Sequence, residues 1–237
     1  MIVEFIGRKG LTVVLHPKLQ TFSWLRHYTP PGCGCNYPVG DKLTTMAWNT
    51  AQTKCRLLDA AGEEFAAFGF AGARIDRIAV RAGVNKERIY PYFGNKAGLF
   101  EAVISRQMDQ GLDEVPLTGE GAEAVARFAG DYFDASVHNP KLARLTAWEG
   151  LERSEPVGAD QRAARAALKS AAIEKAVPGI DNETAQNLLL TIVSLAHGWT
   201  AGRNVGLTIT GDPDDNGRRR AHIVATVFAI ATASARS

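Results

Sequence analysis

From residue 46 onward, apolar positions recur at spacings of three and four, the repeat of an amphipathic helix. Leu57, Leu58, Ala61, Phe65 and Phe68 predict a first helix over about 50–68, ended by Gly69 just past its last turn. Two short segments follow, about 75–82 and 86–90, parted by Gly83. Asn85 is placed to cap the second by accepting the Arg88 N–H, and Asn95 to cap a longer helix over about 96–110. Five more patterns complete the chain. About 121–137 carries Val125, Phe128, Ala129, Tyr132 and Phe133. About 140–153 is opened by Asn139-Pro140, proline suiting a first helical position. About 159–177 is rich in Ala, Arg and Lys; about 182–203 is capped by Asp181 with Thr184 three residues on; about 216–235 is last. The expectation is an all-α protein of about nine helices, with no strand after residue 46.

Residues 1–45 have another character. Ile2–Ile6 and Leu11–Leu15 are short β-branched-rich runs around Gly7-Arg8-Lys9-Gly10, a weak hairpin pattern. The breakers Thr29-Pro30-Pro31-Gly32-Cys33-Gly34-Cys35-Asn36-Tyr37-Pro38 exclude a helix. The stretch reads as an extension, either poorly ordered or a product of start-site choice, or else as an arm. The domain organisation expected is therefore 1–45 as extension, 46–100 as a first helical domain and 101–237 as a second.

Composition narrows the class. With 46% apolar and 22% charged residues over 237 positions, the chain is long enough for a real core. Its longest uncharged apolar stretch, 223–235, is 13 residues, short of the roughly 18 that span a bilayer. No basic leader precedes a long apolar run, so no signal peptide is expected. Three cysteines make no disulfide framework, and a reducing cytoplasm is the expected setting. The net charge of +2 diagnoses nothing, but its distribution does. Residues 70–100 hold six cations (Arg74, Arg77, Arg81, Lys86, Arg88, Lys96) against two anions, Asp76 and Glu87. The rest of the chain is acidic on balance, and that asymmetry marks one end for phosphate.

The segment from Arg77 to Tyr90 has helix-turn-helix logic. Ile78, Ala79, Val84 and Ile89 would bury, Ala79 being small where helices approach, and Gly83 permits the sharp turn. Lys86, Glu87, Arg88 and Tyr90 are left near the start of the second helix, the part that meets base edges in a major groove. Pro91 would remove the N–H that bonds the Glu87 carbonyl, so this helix is expected to end near Tyr90, with base reading confined to 85–90.

Residues 50–105 resemble the DNA-binding domain of TetR (tetracycline-repressor-type) transcriptional regulators. The matching residues are Leu57-Leu58-Asp59-Ala60-Ala61, Phe65, Gly69-Phe70, Ile78-Ala79, Ala82-Gly83-Val84, Ile89-Tyr90, Tyr92-Phe93-Gly94-Asn95-Lys96 and Leu99-Phe100. Tyr-x-Tyr-Phe-x-Asn-Lys directly after a helix-turn-helix makes the resemblance specific. It implies a one-component regulator, most often a repressor. A homodimer would sit on a near-palindromic double-stranded operator, and a small molecule entering the C-terminal domain would release it. The resemblance sets Lys86 and Glu87, with Asn85 beside them, at base-reading positions, and Arg88 and Tyr90 at mixed base and backbone positions. Tyr92 and Lys96 fall where phosphate is gripped. Arg74 stands where the family usually has Thr or Ser and would serve by charge.

The remainder is expected to sense a ligand and to dimerise. Phe128, Tyr132, Trp148 and Trp199, with Phe133, are candidates to line a cavity. The most apolar helices, 182–203 and 216–235, are hydrophobic most of the way round and need cover on more than one side. That predicts an interface between two subunits, through Leu189, Ile192 and Val193 on one and Val224, Val227 and Phe228 on the other, rather than a membrane. Two further classes compete. Cys33 and Cys35 near His27 suggest a metal or redox sensor, although C-x-C without a second pair is weak zinc spacing. An enzyme would need motifs that are missing: no Gly-x-Ser-x-Gly, no phosphate-cradling glycine loop, no His-Glu-x-x-His. No cofactor or metal is expected. His138, His197 and His222 read as structural or surface residues, Cys55 as a passive helix residue, Asn182-Glu183-Thr184 as a chance sequon, and Arg77 and Arg81 as a solvated face.

Overall fold

The computed structural model describes residues 42–109, 115–212 and 215–235, with side chains from residue 50 onward. All regular structure among them is helical. The ten α-helices are α1 (Lys42–Gly72), α2 (Ile75–Ala82), α3 (Ile89–Phe93), α4 (Lys96–Asp109), α5 (Gly121–His138), α6 (Lys141–Glu152), α7 (Ala159–Ala176), α8 (Asn182–Ala201), α9 (Arg203–Thr210) and α10 (Asn216–Ser234). A single 3-10 turn, Lys86–Arg88, leads into α3. The readings placed on residues 1–41, including Cys33 and Cys35, lie outside the described residues.

Local chemistry sets many boundaries where the sequence put them. Asp181 accepts from Thr184 N at 2.8 Å and Asn95 from Gly98 N at 2.9 Å, so both caps form as expected. Asn85 also caps, but its Oδ1 takes the Glu87 N–H at 3.0 Å rather than that of Arg88, because the turn it opens is 3-10. Other boundaries move. α1 starts at Lys42, not near 50. It also runs past Gly69 to Gly72 across a kink, where Gly69 takes φ 70°, ψ −178°, a region almost closed to other residues. α6 begins at Lys141 with Pro140 at its cap and no side-chain cap from Asn139. The pattern expected to run to 203 breaks at Gly202, and α9 follows as a tenth helix.

Two cores result. The first gathers α1–α4: Phe65, Phe70 and Phe100 pack ring on ring at 4.9–6.3 Å between centroids, over Leu57, Ile78, Ile89 and Leu99. The second gathers α5, α7, α8 and α10, with Phe128, Phe133, Ile173, Leu188, Ile192, Ile223 and Val227 inside it. α10 lies close on α5, where Val224 and the Arg220 guanidinium sit directly over Gly130. Arg220 then bridges Asp131 at 3.0 Å and Asp134 at 2.7 Å.

α6 belongs to both groups. Its Leu145 is buried in the first core. Along one stripe, Lys141 pairs with Glu63 at 2.8 Å, while Arg144 Nε and Trp148 Nε1 donate to the Ala66 carbonyl at 3.0 and 3.3 Å. Glu152 Oε2 accepts from the Phe70 and Ala71 amides at 2.6 and 3.0 Å, beside the kink. The whole stripe holds the C-terminal half of α1.

Candidate nucleic-acid interface and the adjoining cavity

The turn between α2 and α3 closes on Gly83, in the left-handed region at φ 64°, ψ 38°. Gly83 N donates to Val80 O at 3.1 Å and Val84 N to Ala79 O at 3.0 Å. Ile78, Ala79, Ala82 and Ile89 bury beneath it, as the pattern required. A buried carboxylate missed in the sequence fixes the other end of α2. Glu64, 1% exposed, accepts from the Arg74 amide at 3.0 Å and from Arg77 Nε at 2.6 Å. Arg77 also donates to the Gly72 carbonyl at 2.9 Å and covers the Phe68 ring. It is thus a latch between α1 and α2 as well as part of the solvated face expected, its side chain 43% exposed. Arg81 is exposed, as expected.

Pro91 does not end the recognition helix. It occupies the first turn of α3, whose N–H groups have no intrahelical partner to lose, and the helix continues to Phe93 with Gly94 N closing on Tyr90 O at 2.8 Å. Arg74, Asn85, Lys86, Glu87, Arg88 and Tyr90 are all exposed on this part of the molecule. Lys86 makes a surface pair with Asp76 at 3.2 Å, of little energetic weight. Tyr92 is half-buried, packed edge-on against Phe93 with Lys54 over its ring. Lys96 is also half-buried: its Nζ lies 3.3 Å from the Ala71 carbonyl and 5.0 Å from the Phe70 ring centroid.

Behind this head, residues of α4–α8 line a partly open cavity of about 550 Å³. Leu142, Ala163, Ala166, Leu189 and Val193 give it apolar walls, and Tyr132 and His197 form a polar pair at 2.8 Å. Burial pushes the Tyr132 hydroxyl up to about 12 and His197 down to about 4, so both are neutral near pH 7. Of the five aromatic residues expected to line a cavity, only Tyr132 lines this one. Phe128 is 1% exposed in the second core, under Lys169. Trp148 belongs to the α1–α6 contact, and Trp199 donates to Asn216 at 2.9 Å beside a separate polar hollow. His197, read as structural, had a signal: it continues the stripe of Leu189 and Val193 at four-residue spacing.

The expected subunit interface is corrected in the same way. Ile192 and Val227 are 0% exposed within one chain and leave nothing for a partner. Leu189 and Val193 face the cavity, and Val224 is half-buried over Gly130. Only Phe228, 40% exposed, is open. Exposed apolar residues on these helices include Leu190 on α8 and Ile230 on α10, and α9 exposes Val205, Leu207 and Ile209. Among the described residues no cluster of His, Cys, Asp or Glu could hold a metal, and no helix is long and apolar enough to cross a membrane.

Comparison with known proteins finds two family models along the chain. The family model described as bacterial regulatory proteins, tetR family, matches residues 57–103, and that described as tetracyclin repressor-like, C-terminal domain, matches 124–228. The HTH-type transcriptional repressor SCO4008 of Streptomyces coelicolor is 36% identical over 156 residues, covering 61% of this chain and 77% of its own. The crystal structure of the transcriptional regulator SCO4942 of Streptomyces coelicolor superposes with a TM-score of 0.60 at 31% identity, covering 74% of this chain and 96% of that one. FadR of Bacillus subtilis, solved in complex with stearoyl-CoA, shares the fold at 18% identity and a TM-score of 0.57, covering 73% and 97%.

Proposed function

Because this chain belongs to the TetR family of bacterial regulatory proteins, we propose that it represses transcription as a homodimer on a near-palindromic operator and leaves DNA when a small molecule fills the cavity. The reading head is assigned to 46–100 and the sensing and dimerising body to 101–237, with 1–45 ahead of both. Lys86, Glu87 and Arg88 read bases, with Asn85 and Tyr90 flanking them, and Arg74, Tyr92 and Lys96 meet phosphates. Dimerisation uses Phe228 and Ile230 of α10 with the apolar residues of α9, which a single chain leaves exposed.

The observation that best supports the reading is the double duty of α6. Leu142 and Thr146 line the cavity, while Arg144, Trp148 and Glu152 of the same helix hold α1. A ligand that favours one position of α6 therefore favours one position of the head, and operator and ligand must oppose each other by equal factors.

Selection of bound fragments from genomic DNA by the full chain tests this. Inverted half-sites about 34 Å apart, or a small multiple, are expected. Arg88→Ala should cost about 1–3 kcal/mol on the selected site and relax preference at one symmetric pair of positions. Binding by a monomer, or an inducer affinity indifferent to operator, would overturn the coupled-dimer mechanism.

A further inference from the structure

Resting on that ligand-responsive reading, we infer that the cavity selects an uncharged lipophile with a single hydrogen-bonding head, seated against Tyr132 and His197, and rejects both organic cations and organic anions. Counting the polar groups of the wall leads there. Thr146 Oγ1 donates to the Leu142 and Ala143 carbonyls at 3.0 and 3.1 Å, and Ser170 Oγ to the Ala167 carbonyl at 3.1 Å. Gln186 Nε2 donates to Asn182 Oδ1 at 2.8 Å. The Thr146 and Ser170 hydroxyls have spent their donors on the protein, and Gln186, with one N–H so used, is an exposed residue of the wall. The guanidinium on the wall, Arg162, is 2.6 Å from Glu149, whose other oxygen accepts the buried Val157 amide at 2.8 Å. An anion entering the cavity would compete with Glu149, 5% exposed, for Arg162, whose charge that carboxylate already balances. A cation would find no free carboxylate among the lining residues.

The Tyr132–His197 pair differs in kind. A phenol oxygen and an imidazole nitrogen lie 2.8 Å apart, and the neutral ring exists in two tautomers. In one, Tyr132 donates to Nε2 and Nδ1–H is left as a donor. In the other, Nε2–H donates to the phenol and Nδ1 is left as an acceptor. The pair can therefore answer a hydroxyl or a carbonyl equally well without any charge entering an apolar space. Without a hydrogen-bonding head in the ligand, nothing in the cavity answers this polar group.

Three probes of one chain length test the charge rule on the full protein: decan-1-ol, decanoate and decylammonium, titrated calorimetrically at pH 7. Decan-1-ol is expected to bind at least tenfold more tightly than either ion. His197→Leu should cost decan-1-ol about tenfold. Glu149→Gln, which releases Arg162, should bring decanoate within about threefold of the alcohol; circular dichroism and melting establish that each variant folds. Equal or tighter binding of either ion by the unaltered protein, or an unchanged preference in both variants, overturns the inference. Should none of the three probes bind while operator selection succeeds, the inference falls and the regulator reading stands.

Discussion

The head and the body solve opposite packing problems with the same kind of element. In the head, three phenylalanine rings and the aliphatic residues of α1–α4 pack the space between helices, and a buried carboxylate, Glu64, is latched by the half-exposed Arg77. In the body, longer helices leave about 550 Å³ unfilled and set a neutral Tyr–His pair on its wall. A reader must hold its side chains in fixed register over half-sites, so slack is harmful there. A sensor must keep a space that something else completes, so its core is deliberately short of atoms.

Truncations in the two cores should expose this contrast most strongly. Phe65→Ala removes a ring enclosed on all sides and is expected to destabilise the head by about 3–5 kcal/mol. Leu189→Ala, at a wall already lacking neighbours on one side, should cost only about 2 kcal/mol. Hydrogen exchange resolved by segment measures both, and equal costs would erase the distinction.

Acid should act on the body through His197. This residue is held near 4 when folded against an ordinary 6.5, so between those values the unfolded chain binds a proton that the folded chain refuses. Stability is complete above about pH 6.5 and falls by on the order of 3 kcal/mol as the pH drops to about 4. His197→Gln should flatten that part of the profile, followed by urea midpoints at stepped pH.

Two glycines compare the join with the head's interior. A Cβ on Gly69 would lie 2.5 Å from Glu152 Oε1 and 2.9 Å from the Trp148 ring, in a backbone region that favours glycine. Gly69→Ala should therefore cost about 2–3 kcal/mol. Gly83→Ala, with nothing within 4 Å of the added carbon, should cost only the left-handed conformation, about 1 kcal/mol. Thermal melting compares the two. The smallest effect expected is that of Lys96→Ala. It should weaken binding to all DNA sequences alike and lower the salt slope by about one unit. Measured across a salt series, a sequence-selective loss would confine Lys96 to its contacts with Ala71 and Phe70.

The head was far more legible than the body, for physical reasons. Caps, turn glycines and the apolar face of α1 depend on neighbours within four residues, so Asn95 and Gly83 speak for themselves. Even Glu64 was visible in principle: it shares the stripe of Leu57, Ala61 and Phe68, where a lone carboxylate needs a buried partner. Periodicity says which side of a helix is covered but not by what. Trp148 therefore falls at the α1 contact and a separate hollow instead of beside Tyr132 and His197, and Ile192 and Val227 are buried within one chain. α9 escaped because Gly206, Val205, Thr208 and Ile209 are poor helix formers, and their helix rests on a tertiary setting.

The four grips of α6 on α1 fall at 141, 144, 148 and 152, a ladder of three- and four-residue steps whose counterparts are Glu63, Ala66 and the amides beyond Gly69. Such a ladder works like a keyed joint between interchangeable parts. A foreign reader grafted onto this sensor would be driven by it only if it brought a bend at the same register of its own first helix. One residue inserted ahead of the bend would rotate Glu63 about 100° from Lys141, and the hybrid would bind its operator and its ligand as two strangers.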